Sequence, residues 1–375
     1  MFEPLSKIPD GLRYYFGAEA RLRRKIEDTA MGVFDGWSYE EIATPTIDYF
    51  ALFERGMGRE HAQRAFRFTD RDGRMLALRP DVTSLVARAA ATLFHTRMRP
   101  LRLCYAAPVF RQQPPSHAEW RRESVQLGCE FIGPGGALAE VEMLAIAAEV
   151  LERISLGTQY RITLNSVEVF NGVASRLGLD AAQRERMRHL IDVRDGAELR
   201  GFLASFAASQ EDCAAFSLLT KLTGGREILD EARRIITNKR SLTALDALES
   251  VWRIIESMGL SDSFEIDLGD VSGLDYYTGL TFKIYVAGAG SRVGGGGRYD
   301  ELTSNFGSSE PAVGFVLDLD ALTDVLMRNN NSSAADANKR TASPLVNDDP
   351  AALFLAARER RLKQERVILE VRNEE

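Results

Sequence analysis

The stretch that decides the fold is VFRQQPPSHAEWRRESVQLGCEFIG, residues 109–133. Its first residues close RLCYAAPVFRQ (102–112), an apolar run rich enough in aromatic and small residues to predict a strand. PPSHAEW (114–120) breaks the pattern with two prolines and polar residues, which predicts a loop. ESVQLGCEFIG (123–133) then resumes as a second strand. Two long strands around a loop predict neighbours in an antiparallel sheet. Alternate residues of a strand point the same way, so Gln126, Gly128 and Glu130 share a face. Arg111, at the strand end beside the loop, is placed to clamp a phosphate or carboxylate with its planar fork. Spacing alone leaves two readings of that face: a solvated sheet surface, which is the default, or the floor of a small-molecule site.

Outward from this pair the elements alternate. Residues 17–36 place Leu22, Ile26, Ala30 and Val33 on one helical face. SYEEIATPTIDY (38–49) predicts a strand closed by Pro45, and AFRFTDRDGRMLALRP (65–80) predicts two strands joined at Asp72-Gly73. A helix follows over about 82–94, with Asp81 as its natural cap. Residues 137–155 read as a helix and YRITLNS (160–166) as a strand. Residues 167–260 read as almost wholly helical, hence as a helical insertion. Strands return at SFEIDL (263–268), LTFKIYV (280–286) and PAVGFVL (311–317), and a helix opens near Leu319. NNNSSAADANKRT is polar and low in complexity, so 329–342 reads as a linker or disordered loop. The segment 343–375 ends the chain with a helix and a short strand. The expected class is α+β: an antiparallel sheet flanked by helices, with residues 1–328 as one domain.

At 375 residues the chain has room for two domains, or for one large domain with an insertion. No apolar run approaches the roughly 20 residues needed to span a bilayer. The start, MFEPLSKIPDG, lacks the basic-then-apolar order of a signal peptide, so a cytoplasmic location is expected. Cys104, Cys129 and Cys213 form no CxxC pair and are odd in number, which favours buried thiols over disulfides. His61, His95, His117 and His189 lie far apart without an HExxH, so no structural zinc is expected. A formal charge of −7 argues against wrapping a large nucleic acid, because phosphate neutralisation calls for a basic surface. ARERRLKQER (357–366) is the one basic stretch, and it reads first as a solvated helix face.

Two further stretches carry chemistry. GLDYYTG (273–279) sets Asp275, Tyr276 and Tyr277 side by side, offering an anion, two hydroxyls and aromatic walls. Such groups can hold an ammonium or an imidazole, although a strand start with a buried tyrosine is the default. GGGGRYDEL (294–302) lets the backbone approach a ligand or another strand closely. It is neither a P-loop nor a dinucleotide fingerprint, and it reads first as a tight bend.

Taken in order, EEIATPTIDY, VFRQQ…GCEFIG, GLDYYTG, GGGGRYD and PAVGFVLDLDAL resemble the class motifs and histidine signatures of histidyl-tRNA synthetase, a class II aminoacyl-tRNA synthetase. The resemblance covers roughly residues 5–325. It implies a homodimer with Pro45 at the interface and a histidine pocket made by Asp81, Thr83, Gln126, Glu130, Tyr276 and Tyr277. In that pocket Gln126 and Asp81 (a glutamate in the synthetase) would hold the ammonium, and Glu130 and Tyr277 the imidazole.

The departures fall on the activation chemistry. The family's arginine before Gly-Leu-Asp-Tyr-Tyr is Ser272 here, its Arg-x-Glu is Arg111-Gln112-Gln113, and its Gly-Leu-Glu-Arg-Leu is Asp318-Leu319-Asp320-Ala321-Leu322. Activation brings a carboxylate against the α-phosphate of ATP, two anions that need fixed cations. Ser272 and Ala321 supply none, and an acid at 318 repels phosphate if it faces the site. Losing one such group commonly costs about 10²–10³ in rate. Only 53 residues follow Leu322 (375 − 322), so an anticodon-binding domain of about 100 residues is not expected.

This combination resembles the regulatory subunits of ATP phosphoribosyltransferase. The resemblance implies no catalysis of its own, no cofactor and no metal. It implies a short-form catalytic subunit as partner, L-histidine as ligand, and a homodimer within a hetero-oligomer. The partner performs the first step of histidine biosynthesis, and this chain would activate it and permit feedback inhibition. The alternatives are a residual histidyl-tRNA synthetase and a synthetase-like tRNA-binding or amino-acid-sensing module. ATP–pyrophosphate exchange would mark the first and tRNA retention at physiological salt the second.

Overall fold

The computed structural model describes residues 7–112, 121–133, 135–156, 159–206, 208–271, 276–333, 343–345 and 349–369. From the N-terminus, α1 (Gly17–Gly36) precedes β1 (Glu40–Glu41), β2 (Ile47–Tyr49), α2 (Phe50–Met57), α3 (Arg59–Ala62), β3 (Arg67–Thr69), β4 (Met75–Leu78), α4 (Thr83–Thr92), β5 (Leu101–Phe110) and β6 (Glu123–Ile132). Next come α5 (Ala137–Arg153), β7 (Tyr160–Ser166), α6 (Val167–Ala174), α7 (Ala181–Asp192), α8 (Gly196–Ala204), α9 (Gln210–Leu219), β8 (Thr223–Gly224), α10 (Glu227–Ile235) and α11 (Lys239–Ser257). The chain returns through β9 (Phe264–Asp267), β10 (Leu280–Val286), β11 (Gly294–Arg298), β12 (Ala312–Asp318) and α12 (Leu319–Ser333).

Among the described residues the main sheet has the order β1-β5-β6-β12-β11-β10-β7-β9-β8. The expected β5–β6 pair is antiparallel, with Tyr105 opposite Gly128 and Leu103 opposite Glu130. The expectation of an antiparallel sheet is corrected at two places, since β1–β5 and β7–β9 run parallel. The single strand expected at 38–49 is two. Pro45 has no N–H to give a ladder, so β1 joins the main sheet and β2 leaves for a separate sheet of order β2-β4-β3. Buried Arg79 ties the break, donating to Thr44 O at 2.7 Å, Pro45 O at 3.3 Å and Pro108 O at 2.7 Å. The β3–β4 turn falls at Asp72-Gly73 as expected, with Gly73 at φ +84°.

Period-2 alternation sends Leu127, Cys129, Phe131, Phe315, Leu317, Phe282 and Ile284 to one side of the sheet. There they bury against Ile26 and Phe34 of α1, Leu144 and Ala148 of α5, and Leu248 and Trp252 of α11. The Phe34 and Phe315 rings meet edge to face, 6.0 Å apart. Each such fully buried side chain is worth about 1.5–3 kcal/mol, and this apolar side fixes the sheet. The opposite side is thereby left to carry polar groups.

Residues Met1–Leu326 and Met327–Glu375 form two units. In the second, β13 (Ser343–Leu345) pairs in parallel with β14 (Val367–Leu369) around α13 (Pro350–Leu362). Helix α12 runs to Ser333, past the expected start of the linker at 329; residues 334–342 lie outside the described set. Among the described residues no helix is long and apolar enough to cross a membrane, and Cys104, Cys129 and Cys213 are free thiols.

Candidate functional site

The polar side of the sheet is laid out by register. On β6, Gln126, Gly128 and Glu130 face it, and their partners on β12 are Asp318, Val316 and Gly314. One strand further, Val316 and Gly314 meet Gly295 and Gly297 of β11, which in turn meet Lys283 and Thr281 of β10. Over this floor lies a cavity of about 370 Å³, walled by the loop before β10, the start of α4 and the residues around α3. That size suits a small molecule.

GGGGR is therefore not the tight bend expected first but a strand inside the sheet. The missing side chains make room. A Cβ at Gly297 would stand 2.9 Å from the Tyr277 ring, and one at Gly314 would overlap the Glu130 carboxylate. A Cβ at Gly128 would stand 2.5 Å from Tyr105 Cζ.

Glu130 is the buried centre of the cavity, 1% exposed. Tyr105 donates to its Oε1 at 2.9 Å, Tyr299 donates to its Oε2, and Thr83 adds a third hydrogen bond. Burial pushes its carboxyl up to about 8, against the pull of those three donors. A carboxyl poised this way can accept from, or donate to, one further ligand nitrogen. Tyr276 and Tyr277 stand beside it, their rings 4.9 Å apart at 63°, with Tyr299 5.8 Å from Tyr276. Burial drives all these phenols upward, so they stay neutral donors.

At the other end of the row, Gln126 hydrogen-bonds the Asp81 carboxylate, while its own Oε1 is buried with no partner. Burial raises Asp81, and the Arg111 charge works against that rise. Asp81 is not the N-cap expected. That position is Val82, and Asp81, one residue earlier, accepts from the backbone N–H groups of Val82 and Ser84, the latter at 3.4 Å. Thr83 is the first residue of α4 and is buried at the cavity wall.

All six expected pocket residues, Asp81, Thr83, Gln126, Glu130, Tyr276 and Tyr277, line this one cavity, and so do Arg111 and Ala321. Gln113, Ser272 and Asp275 lie outside the described residues. Asp318 does face the cavity; burial and then the Asp320 charge push it up to about 6. Sequence reasoning missed Tyr105, Tyr299, Arg121 and Lys283. Tyr299 stood in the GGGGRYDEL stretch, and Tyr105 sits one alternation from Leu103, but only the register shows what they oppose. Lys283 is ion-paired with Asp270 and lies 3.7 Å from Asp192 of α7, so the insertion reaches the cavity rim. Among the described residues no cluster of three or more metal-ligating side chains occurs.

The model of the histidyl-tRNA synthetase family matches residues 11–322. A protein of Moorella thermoacetica named ATP phosphoribosyltransferase regulatory subunit is 36% identical over 364 residues, covering 97% of this chain and 92% of its own length. A histidine–tRNA ligase of Methanocaldococcus jannaschii is 34% identical over 316 residues, covering 84% of this chain and 74% of its own. Among solved structures, a Bacillus halodurans protein described as an ATP phosphoribosyltransferase regulatory subunit/histidyl-tRNA synthetase superposes with a TM-score of 0.86 at 28% identity. It covers 98% of this chain and 93% of that one.

Proposed function

The chain belongs to the histidyl-tRNA synthetase family, and we propose that within it this protein is the regulatory subunit of ATP phosphoribosyltransferase. It activates a short-form catalytic subunit and makes that subunit sensitive to L-histidine. The observation that carries the proposal is the asymmetry of the cavity. The groups suited to a histidine side chain and ammonium converge on it, whereas its other end presents Ala321 and Asp318.

Histidine fits the row as follows. Glu130, held by Tyr105 and Tyr299, takes one imidazole nitrogen, and Tyr277 takes the other side of the ring. Asp81 and the unpartnered Oε1 of Gln126 take the ammonium. Thr83 steadies Glu130, and Arg111 is the cavity cation for the ligand's carboxylate. No step of bond making follows, because a methyl at 321 offers a polyphosphate nothing. Histidine then acts by linkage: it binds one conformation of the assembled complex better and shifts the population. The protein works in the cytoplasm as a homodimer within a hetero-oligomer, without cofactor or tRNA.

The test mixes the chain with a matched short catalytic subunit and follows phosphoribosyl-ATP formation with and without histidine. Activation on mixing, reversed by histidine, is expected. No activation by a competent partner rejects the proposal. The Methanocaldococcus relative favours a second reading, residual synthetase activity; histidine-dependent ATP–pyrophosphate exchange by this chain alone would establish it.

A further inference from the structure

Away from Glu130 the cavity has an electropositive half. Arg111 and Arg121 both line it, and α12 begins at its wall. Two guanidiniums and a helix N-terminus together suit a phosphate. Here acids of the chain itself meet those groups. Asp318 stands opposite Gln126 in the β12–β6 pairing, so its side chain lies on the cavity face. Its carboxylate accepts the Ala321 N–H at 2.9 Å, filling the first turn of α12. Arg111 and Arg121 both act on it electrostatically. Asp320, 1% exposed, accepts from the Tyr15 hydroxyl, the Arg23 guanidinium and, at 2.9 Å, the Val125 N–H. Asp324 pairs with Arg121.

We infer that Asp318 is a built-in anion that excludes polyphosphate ligands, nucleoside triphosphates above all, from this half of the cavity. A phosphate placed here must either displace Asp318 from the Ala321 N–H or lie beside it as a like charge. Both are costly at such close range. Ala321 adds no compensating donor. The inference rests on the reading of the cavity as a histidine site without activation chemistry, and it names the residue that keeps nucleotide out.

The experiment titrates the full chain with magnesium–ATP, and separately with inorganic pyrophosphate, by calorimetry. Wild type, Asp318→Gly and Asp318→Asn are compared. Asn keeps an acceptor for the Ala321 N–H, so it decides the matter even if the glycine variant fails to fold. Wild type is expected to bind neither ligand saturably, and the variants to gain roughly tenfold or more in affinity, the scale of one removed charge contact. Equal binding in wild type and the asparagine variant overturns the inference. Pyrophosphate exchange by wild type separates the two ideas. Histidine-dependent exchange sinks the regulatory reading, whereas unchanged affinity without exchange sinks only the role of Asp318.

Discussion

Two glutamates of this chain move in opposite directions. Glu130, on the sheet floor, is pushed up to about 8, and Glu249, on α11 of the helical insertion, is pulled down to about 2. Glu130 is buried among neutral donors: two phenols and a threonine hydroxyl. Glu249 lies among Arg226, Arg233 and Arg253, which donate to it at 2.7–2.8 Å while remaining 46%, 24% and 65% exposed. The first site is dry and gives its carboxyl a choice of protonation state; the second is wet and only holds a charge. The difference teaches that a large shift is not a measure of weight. Burial decides what a side chain is worth, because water screens one set of partners and not the other.

The comparison breaks first, and hardest, at Glu130→Ala. Tyr105 and Tyr299 then lose their acceptor inside a closed site, and each stranded hydroxyl costs about 1–3 kcal/mol. Chemical denaturation should show a loss of about 2–5 kcal/mol, and calorimetry should show no histidine binding. A loss smaller than that of the matching Glu249 variant would reverse the ranking.

The second break is in pH. Between its ordinary 4.5 and about 8, Glu130 holds a proton in the folded chain that the unfolded chain has released. The folded state binds more protons there, so stability falls as pH rises through that window. The contribution is whole below 4.5 and gone above about 8. Glu130→Gln keeps the shape and discards the titration. Its stability–pH curve should be flatter than wild type by a few kcal/mol at most over that range. Parallel curves would mean that Glu130 is ionised in the cavity from the start.

A smaller break comes from the glycines that let the floor close up. At Gly128→Ala the new methyl meets the Tyr105 ring at 2.5–2.7 Å, and the ring must shift away from Glu130. Overpacking of this kind costs about 1–3 kcal/mol. Denaturation midpoints should drop accordingly, and histidine affinity should fall with them. An unchanged affinity would show that Tyr105 does not position Glu130.

These residues also mark how far the sequence could be read. The β5–β6 pair was legible because ten-residue apolar strands have little else to become, and Gln126 and Glu130 shared a face by alternation alone. The six pocket residues came from a family resemblance, which orders motifs without needing contacts. What stayed hidden is what register supplies. That Gly314 lies under Glu130, and Asp318 beside Gln126, follows from a β12–β6 pairing nearly two hundred positions apart in the chain. The glycine run looked like a bend because glycine weakens strands, and only the folded sheet shows the crowding: a Cβ at Gly296 would overlap Gly314 O, and one at Gly297 would meet Leu280 O at 2.5 Å and the Tyr277 ring at 2.9 Å. Two-residue strands such as β1 and β8 carry no period at all. Arg121 and Lys283 carry no pattern in the sequence that places them at the cavity, and only the fold brings them there.

The smallest expected effect sharpens the contrast from its wet side. Glu249 binds fewer protons folded than unfolded, so its contribution is present above its ordinary 4.5 and is lost as pH falls toward about 2. The size of that shift invites a large number, but the arginines around it are open to solvent and exchange partners: Arg233 also holds Asp246 at 2.8 Å. Exposed pairs of this kind are worth about 0–1 kcal/mol. Glu249→Gln should therefore cost less than about 1 kcal/mol at neutral pH, and most of that should vanish when denaturation is repeated at about 1 M salt, where the screening length falls to about 3 Å. A salt-insensitive loss as large as that of Glu130→Ala would show that the arginine cluster is shielded after all, and that the insertion depends on it as the cavity depends on Glu130.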